Sequence, residues 1–372
     1  MNGLHGIIFS YEKEPGLREL VAPRMAASIP FGGRYRVVDF MLSNLQNAGI
    51  TDVGVVLQGN YQSLLDHLGN GKTWDMSRKY GGLRLLPPFA SDRTYASEVF
   101  RGKMEALASV RSYLGEIRQD YVVLVDSDLI INIPIGEVFK AHMATGADIT
   151  CVCTPDYRNR QTENATFFLL DGDGRVTTTL CDPKKPEGYH CLEIYILSKE
   201  LLLRLVDECD AEDKISFRRD VLSGMGGKLN IRGYVFNGKA AQIRTVKEYY
   251  DRSMDLLDRK LHQELFAAMR PVRAKEDDEA PTYIAPESKC VNSMIADGCI
   301  IEGTVENSIL FPGVTVAKGA VVKNSVLFKN SSIGADASVS HIIADKSVTV
   351  REGVVLTGNE NYPLVVAKNS VV

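Results

Sequence analysis

"IADGCIIEGTVENSILFPGVTVAKGAVV", residues 295–322, decides the fold of the C-terminal part of the chain. An aliphatic residue opens a six-residue unit, small or polar residues fill it, and another aliphatic opens the next. Ile295 leads to Ile301, Val316 to Val322 and, further on, Ile333 to Val339. A period of six with Gly, Ala, Asp or Asn at the bends is the hexapeptide signature of a parallel β-helix, in which three units make one triangular coil and the aliphatics stack inside. A β-sandwich would show hairpin turns and no sixfold phase. The pattern predicts a left-handed parallel β-helix over residues 283–372.

Working back from there, "RPVRAKEDDEAPTY" (270–283) is charged and proline-bearing and reads as a linker. "TVKEYYDRSMDLLDRKLHQEL" (245–265) before it reads as one long amphipathic helix, so residues 256–282 are taken as helix and linker. Over residues 1–255 short apolar runs ("GIIF", "DVGVVLQ", "YVVLVDSD", "DITCVCT") alternate with helical patterns. Such alternation predicts an α/β, Rossmann-like domain, a mostly parallel sheet covered by helices on both faces. Ligands of such sheets sit at the carboxyl ends of the strands.

The chain has 372 residues, 45% of them hydrophobic, with a net charge of −4. That length favours two domains, and interspersed charges argue against nucleic acid or an anionic membrane as partner. Seven cysteines without CxxC spacing read as reduced and structural, Cys151 and Cys153 sharing one face of a strand. The first residues show no signal pattern and no apolar run has bilayer-spanning length, so the expected compartment is the cytoplasm.

In a nucleotide-binding α/β domain the turn after the first strand is glycine-rich, because backbone N–H groups must approach phosphate closely. Here it reads Ser10-Tyr11-Glu12-Lys13-Glu14-Pro15, with two carboxylates and a proline where amide donors are needed. "IPFGGRYRVVDFMLSNLQNAGI", residues 29–50, is the most specific run. It resembles the "PFGGKYRLIDF" block of ADP-glucose pyrophosphorylases, the glucose-1-phosphate adenylyltransferases. "DVGVVLQGNYQSLLDHL" (52–68) and "VNSMIADGCIIEGTVENSILFPGV" (291–314) extend the likeness over nearly the whole chain. The resemblance implies a nucleotidyltransferase (GT-A-like) first domain followed by a hexapeptide β-helix. It also implies a family reaction in which ATP adenylylates glucose 1-phosphate with Mg²⁺ held by two aspartates.

Matched residue by residue, that site is degenerate. The family's GGxGxRL loop becomes "SYEKEPGLREL", and its "RAKPAVPFGG" lysine becomes Ala26. Its "GTADA" segment becomes Gly102-Lys103-Met104-Glu105-Ala106. The first metal aspartate matches Asp128, whereas alignment of the family's "WRDVGT" on Thr245 puts Gln242 at the second. An amide cannot replace a carboxylate that must offset metal and phosphate charge. The sugar-phosphate lysine corresponds to Lys185, with Lys184 as the alternative, and "SMGIY" becomes Cys191-Leu192-Glu193-Ile194-Tyr195. Gln58 stands where the family's nucleotide pocket has a glutamine. Arg24 and Arg36 stand where catalytic relatives bind an anionic sugar-phosphate effector; pairing of Arg36 with Asp39 is the structural alternative.

A preserved scaffold around an eroded site resembles the family's non-catalytic partner-subunit type. The resemblance implies a regulatory subunit that assembles with a catalytic one in a heterotetramer for glycogen synthesis. It needs no cofactor of its own, the Mg²⁺ belonging to the catalytic partner. Two other readings stand beside it: a weak adenylyltransferase using Asp128 with a second ligand such as Asp126, and an acyltransferase with His341 as base. Trp74 is expected to anchor a loop, and His67 to be a surface or capping residue.

Overall fold

The computed structural model describes residues 3–10, 14–87, 100–155, 163–275 and 278–372. Nine strands build the sheet of the first domain: β1 (Leu4–Ser10), β2 (Val53–Leu57), β3 (Leu83–Leu86), β4 (Tyr121–Asp126), β5 (Ile149–Thr154), β6 (Thr166–Leu170), β7 (Val176–Cys181), β8 (Tyr189–Ser198) and β9 (Ile231–Val235). Their path runs β7-β6-β8-β4-β1-β2-β3, with β5 also on β8 and β9 on β5. Pairing is parallel through β4, β1, β2 and β3 and again between β5 and β9, while β8 runs antiparallel to its neighbours. Every residue of β1 is buried, as expected of a strand whose two faces are both covered. Between Cys191 and Ile194, β8 carries a bulge with Glu193 at φ 55, which places a carboxylate in left-handed backbone at the sheet's centre.

Helix α1 (Val37–Asn47) starts where the Arg36 backbone N–H donates to Asp39 Oδ2 at 2.9 Å. α2 (Gln62–Leu68), α3 (Lys103–Ser109), α4 (Arg111–Glu116), α5 (Ile135–Thr145) and α6 (Lys199–Ala211) complete the covering. The stretch expected as one long helix is two: α7 (Val246–Asp255) and α8 (Arg259–Leu265). Asp258 breaks it, its carboxylate accepting from the N–H groups of Lys260 and Leu261 as the cap of α8.

From Tyr283 onward short strands stack into three parallel sheets of five, a parallel β-helix. The expected eighteen-residue coil is shorter: Val305 pairs with Val322, and Val322 with Val339, 17 residues apart. Inward side chains follow spacings of six, six and five, as in Leu310, Val316, Val322 and Leu327. The five-residue side ends at a corner where Asn292, Asn307, Asn324 and His341 all have positive φ. Asparagine tolerates that backbone, so one residue turns the corner where two are otherwise used. His341 belongs to this ladder: its backbone N–H donates to Lys323 O, and its Nε2 lies 3.3 Å from Asn324 Nδ2. The corner ladder gives His341 a turning role.

Along the third sheet inward Leu310, Leu327 and Ala344 alternate with outward Ile309, Val326 and Ile343. The outward residues, with Phe311 and Phe328, form one core with Phe31, Phe40, Tyr249 and Leu256 of the first domain. In the same column as Phe311 and Phe328 stands Asp345, whose two carboxylate oxygens accept from Arg24 Nη2 at 2.8 and 2.9 Å. Both side chains are buried. The domains are thus joined by a continuous apolar face keyed by one ion pair.

Candidate functional site

Parallel strands deliver their loops to one edge, and β1 and β4 bring Ser10, Asp126, Ser127 and Asp128 together there. Glu14, Met25 and Ala26 close the cleft from the other side. Tyr11, Glu12 and Lys13 of the first turn lie outside the described residues. Ala26 opens a single 3-10 turn and lines the same cleft as the two aspartates, where the resemblance calls for a lysine.

Both aspartates of the cleft are met by cations of the chain itself. Lys103, at the start of α3, sends Nζ to 2.7 Å from Asp126 Oδ1 and 3.0 Å from Glu193 Oε2, with all three side chains buried. Tyr195 donates its hydroxyl to the same Glu193 oxygen at 2.8 Å. Burial alone would raise the Glu193 pKa; the Lys103 and Arg218 cations and the tyrosine bond outweigh it and hold the carboxyl below its usual value. Burial pushes up the thiol of Cys191 and, to about 12, that of Cys153, and all seven cysteines are free.

Asp128 meets a second built-in cation. Residues Ala240–Gln242 pair antiparallel with Leu129–Ile131, setting Gln242 opposite Leu129, beside Asp128. Gln242 is where the alignment expects it, and its Nε2 is buried without a hydrogen-bond partner among the described residues. Two positions on, Arg244 Nε lies 3.7 Å from Asp128 Oδ2. Among the described residues no group of three His, Cys, Asp or Glu side chains is placed to hold a metal ion. Asp128 beside an amide and a guanidinium, with Asp126 already paired to Lys103, does not fit Mg²⁺, which takes several oxygen ligands and is repelled by a neighbouring cation. Sequence reasoning missed Lys103 and Arg244; the signal available was a cation at each of two positions where the family has none.

The remaining predicted residues are dispersed. Lys185 is exposed in the loop between β7 and β8. Gln58 is buried, its Oε1 accepting from the Phe100 N–H at 2.7 Å. Arg24 is in the interdomain pair. Arg36 donates from Nη1 to the carbonyl and hydroxyl oxygens of Ser63, while Asp39 accepts from the Arg36 backbone and faces His67 Nε2 at 2.6 Å. His67 is therefore buried, not a surface residue: the Asp39 carboxylate and the Trp74 ring enclose it. Trp74 is a buried anchor donating to Arg273 O at 3.2 Å.

Arg24 and Arg36 both act on Lys346. Burial, then Arg36 and Arg24, outweigh Asp345 and lower the Lys346 pKa to about 8, with Lys368 adding to the effect. Four cations thus share the seam between the domains.

No helix among the described residues is long and apolar enough to cross a membrane. Residues 17–261 match the nucleotidyl transferase family and residues 282–362 the GlmU-like, C-terminal hexapeptide family, the left-handed form of the β-helix described above. The chain is 33% identical over 370 residues to the glycogen biosynthesis protein GlgD of Bacillus subtilis (strain 168), covering 100% of this chain and 97% of that one. It is 35% identical to the GlgD of Geobacillus stearothermophilus (86% and 83% covered). To the glucose-1-phosphate adenylyltransferase of the same organism it is 31% identical (82% and 80% covered).

Proposed function

Since the chain belongs to the ADP-glucose pyrophosphorylase family, as a GlgD-type member, we propose that it is a cytoplasmic regulatory subunit of glycogen biosynthesis that does not catalyse adenylyl transfer. The observation that carries this reading is the pair of internal cations: Arg244 stands at Asp128 and Lys103 at Asp126, where the reaction needs metal and phosphate charge. Loss of several charge-stabilising groups at ~3 kcal/mol each lowers a rate by many powers of ten. Its partner is a catalytic subunit of the same family, which supplies the Mg²⁺ chemistry.

The test is pyrophosphate release from ATP and glucose 1-phosphate with Mg²⁺, by this chain alone and mixed with the catalytic subunit. The expected result is no turnover alone and an altered rate or effector response in the mixture. Turnover alone that disappears in Asp128→Asn would establish the weak adenylyltransferase instead.

The seam cations support a sugar-phosphate effector in this reading, with Arg24 fixed by Asp345 and Arg36 and Lys346 facing the ligand. An anion binds the protonated amine, so affinity is full below pH 8 and falls as pH rises through about 8, where Lys346 loses its proton. Titration of the complex with fructose 1,6-bisphosphate from pH 7 to 9 should show this fall, and Lys346→Met should flatten it. A pH-independent affinity in the unmodified complex would remove Lys346 from the site.

A further inference from the structure

The opposite edge of the same sheet holds a larger and more polar pocket. His5 is the second residue of β1, Asp52 precedes β2, Gly82 precedes β3 and Gln119 lies just before β4, so these amino ends converge on one pocket. Four cations line it, Arg78, Lys79, Arg84 and Arg118, against the two carboxylates of Asp52 and Glu116. Arg84 pairs with Glu116 at 3.0 Å and lies over the Tyr113 ring, and Arg78 pairs with Asp75 at 2.7 Å. Lys79 rests on the ring of Tyr80, and Arg118 is exposed. The pocket keeps a positive excess after its internal pairs are counted.

Its floor carries a donor and an acceptor left over. The Asp52 carboxylate, 3.7 Å from His5 Nδ1, favours the tautomer with the proton on Nδ1, which leaves Nε2 to accept from the Tyr113 hydroxyl at 2.8 Å. That N–H, on a side chain 1% exposed, makes no hydrogen bond of normal length: Asp52 Oδ1 is 3.7 Å away, close enough to help outweigh burial and hold the Asp52 carboxyl below its usual value but too far to satisfy the donor. Gln119 spends its amide N–H on Asp52 at 3.3 Å, leaving Oε1 buried and unbonded. A buried donor and a buried acceptor on one floor are satisfied together by one hydroxyl group.

We propose that this amino-end pocket binds a phosphate monoester carrying free hydroxyls, a sugar phosphate. Arg84 and Arg118 receive the phosphate, and a hydroxyl bridges His5 Nδ1 and Gln119 Oε1. Guanidinium groups suit the phosphate because each offers paired N–H donors to its oxygens. The site shares no residue with the carboxyl-end cleft or the seam, so it stands independently of the regulatory reading.

The experiment is hydrogen–deuterium exchange of the full chain with glucose 6-phosphate, inorganic phosphate or glucose. Glucose 6-phosphate should protect residues 78–84 and 113–119, inorganic phosphate more weakly, and glucose not at all. Arg84→Ala/Arg118→Ala, both at exposed side chains, should weaken glucose 6-phosphate binding about tenfold or more. Gln119→Ala should weaken glucose 6-phosphate binding and leave that of inorganic phosphate unchanged, a difference that a structural role for Gln119 would not produce. Absence of protection in these segments, protection confined to the seam, or equal protection in the double variant would overturn the proposal.

Discussion

Glu193 shows how a single residue departs from the family pattern. Its φ of 55 suits glycine, which the family pattern has there, and a side chain in this region costs about 1 kcal/mol. The residue is held because its carboxylate is half of the counter-charge of Lys103. Lys103→Ala would leave Asp126 and Glu193 buried without their cation and should destabilise the chain by ~3–5 kcal/mol in chemical denaturation. Glu193→Gly, which keeps the Lys103–Asp126 pair and relieves the backbone, should cost clearly less. A carboxyl whose folded pKa is depressed contributes stability that is complete above its usual value of 4.5 and is lost as pH falls below it. Thermal midpoints should therefore drop more steeply below pH 4.5 in the unmodified chain than in Glu193→Gln. At this scale the sequence made the losses legible, Gln242 for an acid and Ala26 for a lysine. It did not make the replacements legible, because Lys103 and Glu193 lie 90 positions apart and meet only across the folded sheet.

Elements were more legible than residues, and where they departed the cause is local. The sixfold phase identified the β-helix, but its third side is one residue short because left-handed asparagines turn that corner. A period read from aliphatic spacing alone averages over such corners. The single helix expected over residues 245–265 is likewise divided by a cap that amphipathic periodicity does not register. At His341 the ladder predicts that asparagine is the better fit. His341→Asn should keep the thermal midpoint or raise it slightly, within about 1 kcal/mol, whereas His341→Val should lower it, since a β-branched residue is strained at φ 53. Acetyl-CoA binding that depends on His341 would contradict the turning role.

For the whole molecule, two domains and their order were readable because each has its own periodicity, 3.6 and 2 in one and six in the other. The way they dock was not, since neither Arg24 nor Asp345 carries a local signal of its partner, 321 positions away. Removing one partner of a buried pair leaves the other charge uncompensated, so Asp345→Ala should destabilise by ~3–5 kcal/mol. The loss should appear as an earlier separate transition in calorimetry if the seam opens before either domain unfolds.

The docking column carries one further implication, about translational degeneracy. A surface made by repetition every 17 residues presents nearly the same apolar profile at each coil: Ile309 with Phe311, Val326 with Phe328, then Ile343 with Asp345. Such a rail, slid along its axis by one step, would still offer grease to grease. Only the third step ends in a carboxylate, and a slide would set Arg24 against Phe328, stranding a guanidinium in hydrocarbon. Asp345 therefore acts as the indexing mark that makes one seating out of several self-similar ones correct, and a designer who inserted or excised a coil upstream of it would have to move that mark as well.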